Sequence, residues 1–264
     1  MEKVLGEFLF KGIDNSPCEE EQLITGTEAP FLKTENLRII TDYDQLATGL
    51  YIGEKINHPL FQITKICFDV QKDYVQKNIT LKTLKQTSIT QHKKYILWRS
   101  GFSLAVITLS DRGFLGERID ESGPVIENLI KKTLPISYII RSIIPDDIYT
   151  LKGLMSDLIF IDKIDLIITT GGTGVTERDI TPDVVEDLIE KRLWGFEHAM
   201  FQEGLKNTPH AIISRAVCGI TYSSLIINLP GSKKAVQENL AAILPALNHT
   251  LEKIKNDPSE CARN

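Results

Sequence analysis

The sequence predicts an α/β domain with a mostly parallel sheet over residues 101–264, preceded by a small all-β domain over residues 1–100. Three observations predict it. From Phe102 onward, apolar β-branched stretches alternate with amphipathic ones at helical spacing, the pattern of strands joined by crossover helices. Four of those strand-like stretches end in a polar or glycine cluster, which in an open parallel sheet lie along one edge, where ligands bind. Before Gly101 the apolar stretches are short, closely spaced and separated by turn signals, with little helical periodicity.

In the first hundred residues, the strand-like stretches are Leu37–Ile40, Leu50–Ile52, Leu60–Ile66, Ile79–Leu84 and Tyr95–Trp98, punctuated by Thr48-Gly49, Ile52-Gly53 and His58-Pro59. Their density suggests a sandwich or barrel. Residues 14–30 read as a loop, and the pattern changes around Arg99-Ser100-Gly101.

The second part opens with a strand over Ser103–Leu109 that ends at Ser110-Asp111-Arg112. A helix from about Ser122 places Val125, Leu129 and Ile130 on one side. The strand Tyr138–Ile144 ends at Pro145-Asp146-Asp147, and a helix over Ile148–Ile161 carries Leu151, Leu154, Met155 and Leu158 at helical spacing. Next comes Leu166–Thr170, a short buried strand that runs into Gly171-Gly172-Thr173-Gly174. Thr181-Pro182-Asp183 then starts a helix to Arg192, with Thr181 as N-cap and Pro182 at the first position. Helix to Gly204, strands at Ala211–Val217 and Leu225–Leu229, and the turn Pro230-Gly231-Ser232 follow. A closing helix from about Lys233 to Lys255 carries Leu240, Ile243, Leu244, Leu247, Leu251 and Ile254, with Pro245 expected to bend it.

Composition sets limits. With 264 residues, 42% hydrophobic and 25% charged, the chain has room for one or two domains. No apolar run approaches the roughly twenty residues a membrane helix needs, and the first residues lack a signal-peptide pattern, which predicts a cytoplasmic protein with no membrane partner. The four cysteines, Cys18, Cys67, Cys218 and Cys261, are far apart and suit reduced thiols, not a disulfide framework or zinc site. The net charge is −5, with the first hundred residues balanced and the surplus of acid all in the rest. That argues against nucleic acid, which wants a basic face. A phosphate ligand would instead need backbone amides and a divalent cation beside the carboxylates.

The candidate site follows from the strand ends. Gly171, Gly172 and Gly174 let backbone N–H groups approach an anion closely, although a glycine turn after a strand is often only a turn. Asp146 and Asp179 each read singly as polar decoration or a helix cap, but as a pair flanking one anion loop they suit a metal held against phosphate oxygens. Ser232 is a helix N-cap that could equally meet a phosphate. The five histidines are scattered and none is assigned to chemistry. Ser214 has no Gly-x-Ser-x-Gly elbow around it, which rejects a hydrolase nucleophile.

The stretches SDRGFLGERIDESGP, IPDD, TTGGTGVTERDITPD, GFEHAM, ISRAVCGI and LIINLPGSKK stand in the order and spacing of the molybdopterin adenylyltransferase family, which this chain resembles over roughly residues 102–258. The resemblance implies a three-layer molybdopterin-binding domain that adenylylates molybdopterin with ATP and Mg²⁺, releasing pyrophosphate. It implies catalytic and metal-holding roles for Asp179 and Asp146, and a phosphate-binding loop at Gly171, Gly172, Thr173 and Gly174. Ser110, Asp111, Glu197, Ser214, Asn228, Pro230, Gly231 and Ser232 match further pocket positions. It also implies trimers, and a molybdenum-insertion enzyme as a candidate partner. Where the family has Arg-Gly before the LIINLPG strand, this chain has Tyr222-Ser223, which puts substrate contacts there in doubt. The alternative function is a molybdopterin-binding carrier or scaffold without catalysis. In the first domain, FLKTENLRIITDYDQLATGLYIGEKINHPLFQITKICFD resembles the middle of a MOSC domain, with Cys67 at the cofactor-handling cysteine, and reads as a non-catalytic docking or carrier module.

Overall fold

The computed structural model describes residues 2–9, 21–26, 46–71, 74–85 and 94–255. The chain divides into two compact units, Met1–Gly101 and Phe102–Asn264.

In the first unit the strands are β1 (Glu2–Leu9), β2 (Glu21–Gly26), β3 (Tyr51–Lys55), β4 (His58–Gln71), β5 (Tyr74–Thr83) and β6 (Lys94–Ser100). They form a six-stranded sheet in the order β1-β6-β3-β4-β5-β2, and every pairing is antiparallel. Ile52, Ile63, Ile79, Leu81 and Leu97 are sealed in its core, and Trp98 stacks on Tyr51 at 5.8 Å. Gly53 sits at a break in the β3–β4 register where an added Cβ would lie 2.3 Å from the His58 carbonyl oxygen. β2 corrects the loop expected over residues 14–30: Glu21–Gly26 pairs in continuous antiparallel register with Lys77–Lys82 of β5, a long-range pairing that composition alone does not reveal. The expected strand Leu37–Ile40 and the Cys67 side chain lie outside the described residues.

The second unit has β7 (Phe102–Leu109), β8 (Ile136–Ile144), β9 (Leu166–Thr170), β10 (Lys191–Arg192), β11 (Cys218–Thr221) and β12 (Ser224–Leu229). Its helices are α1 (Asp111–Phe114), α2 (Ser122–Thr133), α3 (Ile148–Ser156), α4 (Thr181–Leu188), α5 (Trp194–Asn207) and α6 (Lys233–Ile254). The sheet runs β10-β11-β12-β9-β7-β8; β8, β7, β9 and β12 are mutually parallel, while β11 is antiparallel to both its neighbours, β10 and β12.

Successive side chains of a strand point to opposite faces, so a strand covered on both sides must be apolar throughout. β7 obeys this. Leu104 and Val106 join a core with Ile126 and Ile130 of α2, Met200 of α5 and Leu240, Ile243 and Leu247 of α6. Ala105, Ile107 and Leu109 face a second core with Leu151 and Met155 of α3 and Val184 and Val185 of α4. Helices thus cover both faces, giving three layers. At the strand beginnings the buried Asp165 carboxylate accepts hydrogen bonds from Ser103 N–H (2.7 Å) and Ser103 Oγ (3.0 Å) and pairs with Lys255 Nζ (2.9 Å).

Several expected elements differ. The helix expected over Ile148–Ile161 ends as α-helix at Ser156 and finishes in a π-turn over Asp157–Ile161. The helix expected to reach Arg192 stops at Leu188, because Lys191-Arg192 pairs with β11. The expected strand Ala211–Val217 is a 3₁₀ turn over Pro209–Ile213 followed by irregular chain, and the strand begins only at Cys218. Pro209 at the head of that turn cannot donate to a ladder, and Ile212 and Ile213 are exposed, so their β-branched character finds no sheet to join.

Candidate functional site

The carboxyl ends of β7, β8, β9 and β12 share one edge, and the glycine turn after β9 sits in its middle. Gly171 and Gly172 have φ of 101° and 63°, the left-handed region that disfavours a side chain. They also have no space for one. A Cβ on Gly171 would lie 2.6 Å from the Leu109 carbonyl oxygen, and one on Gly172 would lie 2.6 Å from Thr181 Oγ1. The turn is pinned from several directions: Gly171 N–H donates to Leu229 O (3.1 Å), Thr170 Oγ1 to Pro230 O (2.7 Å) and Thr181 Oγ1 to Gly171 O (3.0 Å). Thr181 is therefore not the helix cap its sequence suggests; Ile180 holds the N-cap position, and the threonine hydroxyl is recruited to the turn. The N–H groups of Gly172 and Thr173 have no acceptor among the described residues.

The chain after Gly174 is closed by two side chains. Asp179 accepts from Thr176 N–H (2.8 Å) and Thr176 Oγ1 (2.7 Å). A Cβ on Gly174 would lie 2.7 Å from Asp179 Oδ2, so the loop folds tightly over the carboxylate. Partial burial works against the charged carboxylate, but the hydrogen bonds from Thr176 and Gly174 and the Arg215 charge outweigh it and hold Asp179 below its ordinary range. Arg215 spans the loop: Nε donates to Gly174 O (2.7 Å), Nη2 to Asp179 O, and Nη1 and Nη2 to the two Asp183 oxygens (2.8 and 3.1 Å).

Asp146 and its neighbour Asp147 have different duties. Asp147 is the N-cap of α3, accepting from Thr150 N–H (2.7 Å) and Thr150 Oγ1 (2.8 Å), and the Thr150 bonds hold its carboxyl down. Asp146 caps nothing. It lines a cavity of about 470 Å³ together with Ser110, Asp111, Arg112, Gly172, Arg178 and Asp179. Its backbone N–H donates to Asp111 Oδ1 (3.0 Å), while its carboxylate has one long contact, to Arg178 at 3.8 Å. Burial raises its pKa, and the nearby Asp179 charge raises it further. Arg178 also ion-pairs with Asp111.

The other expected residues border two adjoining cavities or lie beneath them. Ser110 also lines a cavity of about 250 Å³ with Gly231 and Ser232. Ser110 and Ser232 are N-caps of α1 and α6, accepting from Gly113 N–H (3.1 Å) and Ala235 N–H (3.3 Å). Thr173, Gly174, Glu197, Ser214 and Pro230 line a cavity of about 1020 Å³. Glu197 is held there by Arg192 Nε (2.9 Å) and Cys218 N–H (2.9 Å). Asn228 reaches none of the three: it is buried under the turn, donating to Thr169 Oγ1 (2.8 Å), with Oδ1 unpaired. Gly171, the first residue of the turn, also lines none of the three.

Arg178, Arg215, Arg192 and Trp194 are site residues that residue-by-residue reading did not select. Arg178 was signalled by its place beside Asp179 in the RD pair. The partners of Arg215, two backbone carbonyls and the Asp183 carboxylate, lie about thirty to forty residues away, which no local pattern announces. Tyr222-Ser223, where substrate contacts were in doubt, has a defined place in the fold. It turns between β11 and β12 at the start of β12, hence on the sheet edge opposite the site, and Tyr222 packs edge-on against Phe160. Neither residue lines the three cavities described above.

For a divalent cation the donors would be Asp146 and Asp179, which line one cavity. No group of three or more His, Cys, Asp or Glu among the described residues could hold a metal by itself. Two carboxylates fit Mg²⁺, which binds through one or two such groups plus water and substrate phosphates. The Asp146 carboxylate, with one long contact to Arg178, keeps oxygen lone pairs that such an ion would engage.

The sequence pattern of the family described as "Probable molybdopterin binding domain" matches residues 105–249. Gephyrin from Dictyostelium discoideum is 40% identical over 164 residues, covering 59% of this chain and 23% of that protein; the chain thus spans about a quarter of gephyrin's length. Molybdopterin adenylyltransferase from Helicobacter pylori is 37% identical over 153 residues, 57% of this chain and 86% of that protein. The crystal structure of the molybdopterin biosynthesis enzyme MoaB from Thermus thermophilus superposes with a TM-score of 0.54 at 35% identity, covering 59% of this chain and 97% of that one.

Proposed function

The chain belongs to the molybdopterin-binding domain family, and from that premise we propose that it transfers the adenylyl group of ATP to the terminal phosphate of molybdopterin. An oxygen of that phosphate forms a bond to the α-phosphorus of ATP while the bond to the bridging β-phosphate oxygen breaks, and pyrophosphate leaves with the electron pair. Little covalent help is needed; in-line positioning and charge neutralisation do most of the work.

The observation that carries the proposal is that Asp146 and Asp179, far apart in sequence and on different loops, line one cavity beside the glycine turn. Together they would hold Mg²⁺, which when bound supplies the positive charge that lets two polyanions meet. The unpaired N–H groups of Gly172 and Thr173 suit phosphate oxygens. Arg178 places a cation beside Asp111 and Asp146, on the wall of the same cavity, where it suits a phosphate. Thr176 and Arg215 keep Asp179 oriented and ionised.

Purified full chain given molybdopterin, ATP and Mg²⁺ releases pyrophosphate as molybdopterin is consumed. Saturable molybdopterin binding without pyrophosphate release refutes the proposal and leaves a carrier or scaffold. We extend the proposal to the first unit as a MOSC-like docking or carrier module, and to a trimeric assembly that hands its product to a molybdenum-insertion enzyme. Equal rates from residues 101–264 and the full chain make the first unit dispensable for this step, and sedimentation tests the trimer.

A further inference from the structure

The chain has two tryptophans. Trp98 is sealed in the first unit at 1% exposure. Trp194 opens α5 and is 64% exposed, yet it stands on the wall of the cavity of about 1020 Å³ and not on a convex surface. A large aromatic left in water on a concave wall forgoes its burial energy unless something flat covers it.

The indole is also held ready. The Arg192 guanidinium lies over the ring, 4.0 Å from its centroid. Arg192 is fixed by Glu197 through Nε (2.9 and 3.2 Å) and by Glu186 through Nη1 (2.5 Å). Glu197 in turn accepts the N–H of Cys218 on β11 (2.9 Å). A chain of charge-assisted bonds therefore runs from the sheet to the indole, and an aromatic surface fixed in advance loses little entropy when a ligand stacks on it. Thr173 and Gly174 of the glycine turn line the same cavity, so a ring seated there shares it with the turn suited to phosphates.

We propose that Trp194 is the stacking surface for a planar nitrogen heterocycle, supplied by one of the two substrates of the adenylylation reading on which this inference rests: the adenine of ATP or the pterin of molybdopterin. Glu197 and Arg192 are positioning residues for that surface.

Calorimetric titration of the full chain with ATP and Mg²⁺, and separately with neopterin monophosphate as a pterin probe, tests it. Trp194→Ala weakens one probe by about five- to 150-fold, the range of a lost ring–aromatic stack, and leaves the other within about two-fold. Trp194→Phe, which keeps a flat face, recovers most of the loss. The probe that loses affinity identifies the ring. Because Trp98 is sealed, that probe also changes the tryptophan emission of the unaltered chain, and Trp194→Phe abolishes the change. Unaltered affinity of Trp194→Ala for both probes overturns the stacking surface while leaving adenylylation standing. Equal weakening of both also overturns it, since that marks a collapsed cavity. Failure of the unaltered chain to bind either probe overturns it together with the adenylylation reading.

Discussion

Gly172→Ala is the sharpest test of whether the glycine turn is built as described. The new methyl meets two separate penalties. At φ 63° an alanine occupies the left-handed region, costing about 1–2 kcal/mol. Its Cβ would also lie 2.6 Å from Thr181 Oγ1, so the buried threonine must rotate and give up its 3.0 Å hydrogen bond to Gly171 O, a loss of about 1 kcal/mol. The sum is about 2–3 kcal/mol, which for a unit of this size lowers the melting temperature by roughly 4–12 °C. Thermal unfolding followed by circular dichroism reads this directly. Gly153→Ala is the control: it lies inside α3, an added Cβ meets nothing within 4 Å, and the helix gains about 0.5–1 kcal/mol. Pyrophosphate release by Gly172→Ala at a temperature where both proteins are folded falls by about ten-fold or more, because the N–H groups of Gly172 and Thr173 shift together. A Gly172→Ala melting temperature within about 1 °C of the parent, with Gly153→Ala unchanged as well, would refute the reasoning.

Asp179→Asn lowers pyrophosphate release by more than about 10²-fold while molybdopterin affinity stays nearly constant; lost binding with intact turnover contradicts its role. For Asp146 the sign runs the other way: burial and the Asp179 charge raise its pKa, so the ionised form is penalised in the folded protein above that pKa and the penalty fades as pH falls through it. Asp146→Asn therefore leaves the melting temperature at neutral pH equal or higher while turnover disappears, and carbon-detected NMR shows the Asp146 titration moving down in Asp179→Asn. Arg215→Lys cannot reproduce a guanidinium serving Gly174, Asp179 and Asp183 at once; hydrogen exchange in residues 174–179 accelerates and kcat drops with KM nearly constant. Tyr222→Arg, on the far edge of the sheet, leaves kcat/KM within about two-fold of the parent.

Which of these features the sequence could reveal depends on how local their causes are. The parallel strands were legible because burial on both faces forces continuous apolar runs such as Leu104–Ile107, and because their polar ends fall at fixed places in the strand–helix alternation. Asp146 and Asp179 were selected as a pair on that topological ground, and both line the acid cavity. Thr181 was misread because Thr-Pro-Asp is locally a helix start, whereas an acceptor ten residues back, the Gly171 carbonyl, takes the hydroxyl. Ala211–Val217 was misread because the apolar run in AIISRAV suggests a strand, while Pro209 starts a 3₁₀ turn and Arg215 is drawn under the glycine loop. Arg192 and Trp194 left almost no trace: their pairing arises where a two-residue strand meets the first residue of a helix, a junction that periodicity does not mark.

The adjacent Asp146 and Asp147 show most directly how the fold turns identical side chains to different ends. Both follow Pro145, where β8 gives way to α3. Asp147 has the extended backbone of an N-cap, and its carboxylate is saturated by Thr150. One residue earlier, the Asp146 N–H is tied to Asp111, and its carboxylate is left with a single distant cation. A half-buried acid so poorly compensated, facing a second acid kept ionised by its own loop, is costly for the fold alone. The arrangement becomes favourable only when added positive charge enters the cavity, and Arg178 already partly fills that role between Asp111 and Asp146. On the proposed adenylylation, the acidic surplus of this half of the chain is compatible with polyphosphate substrates: the acids would recruit the cation, and the cation would admit the phosphates.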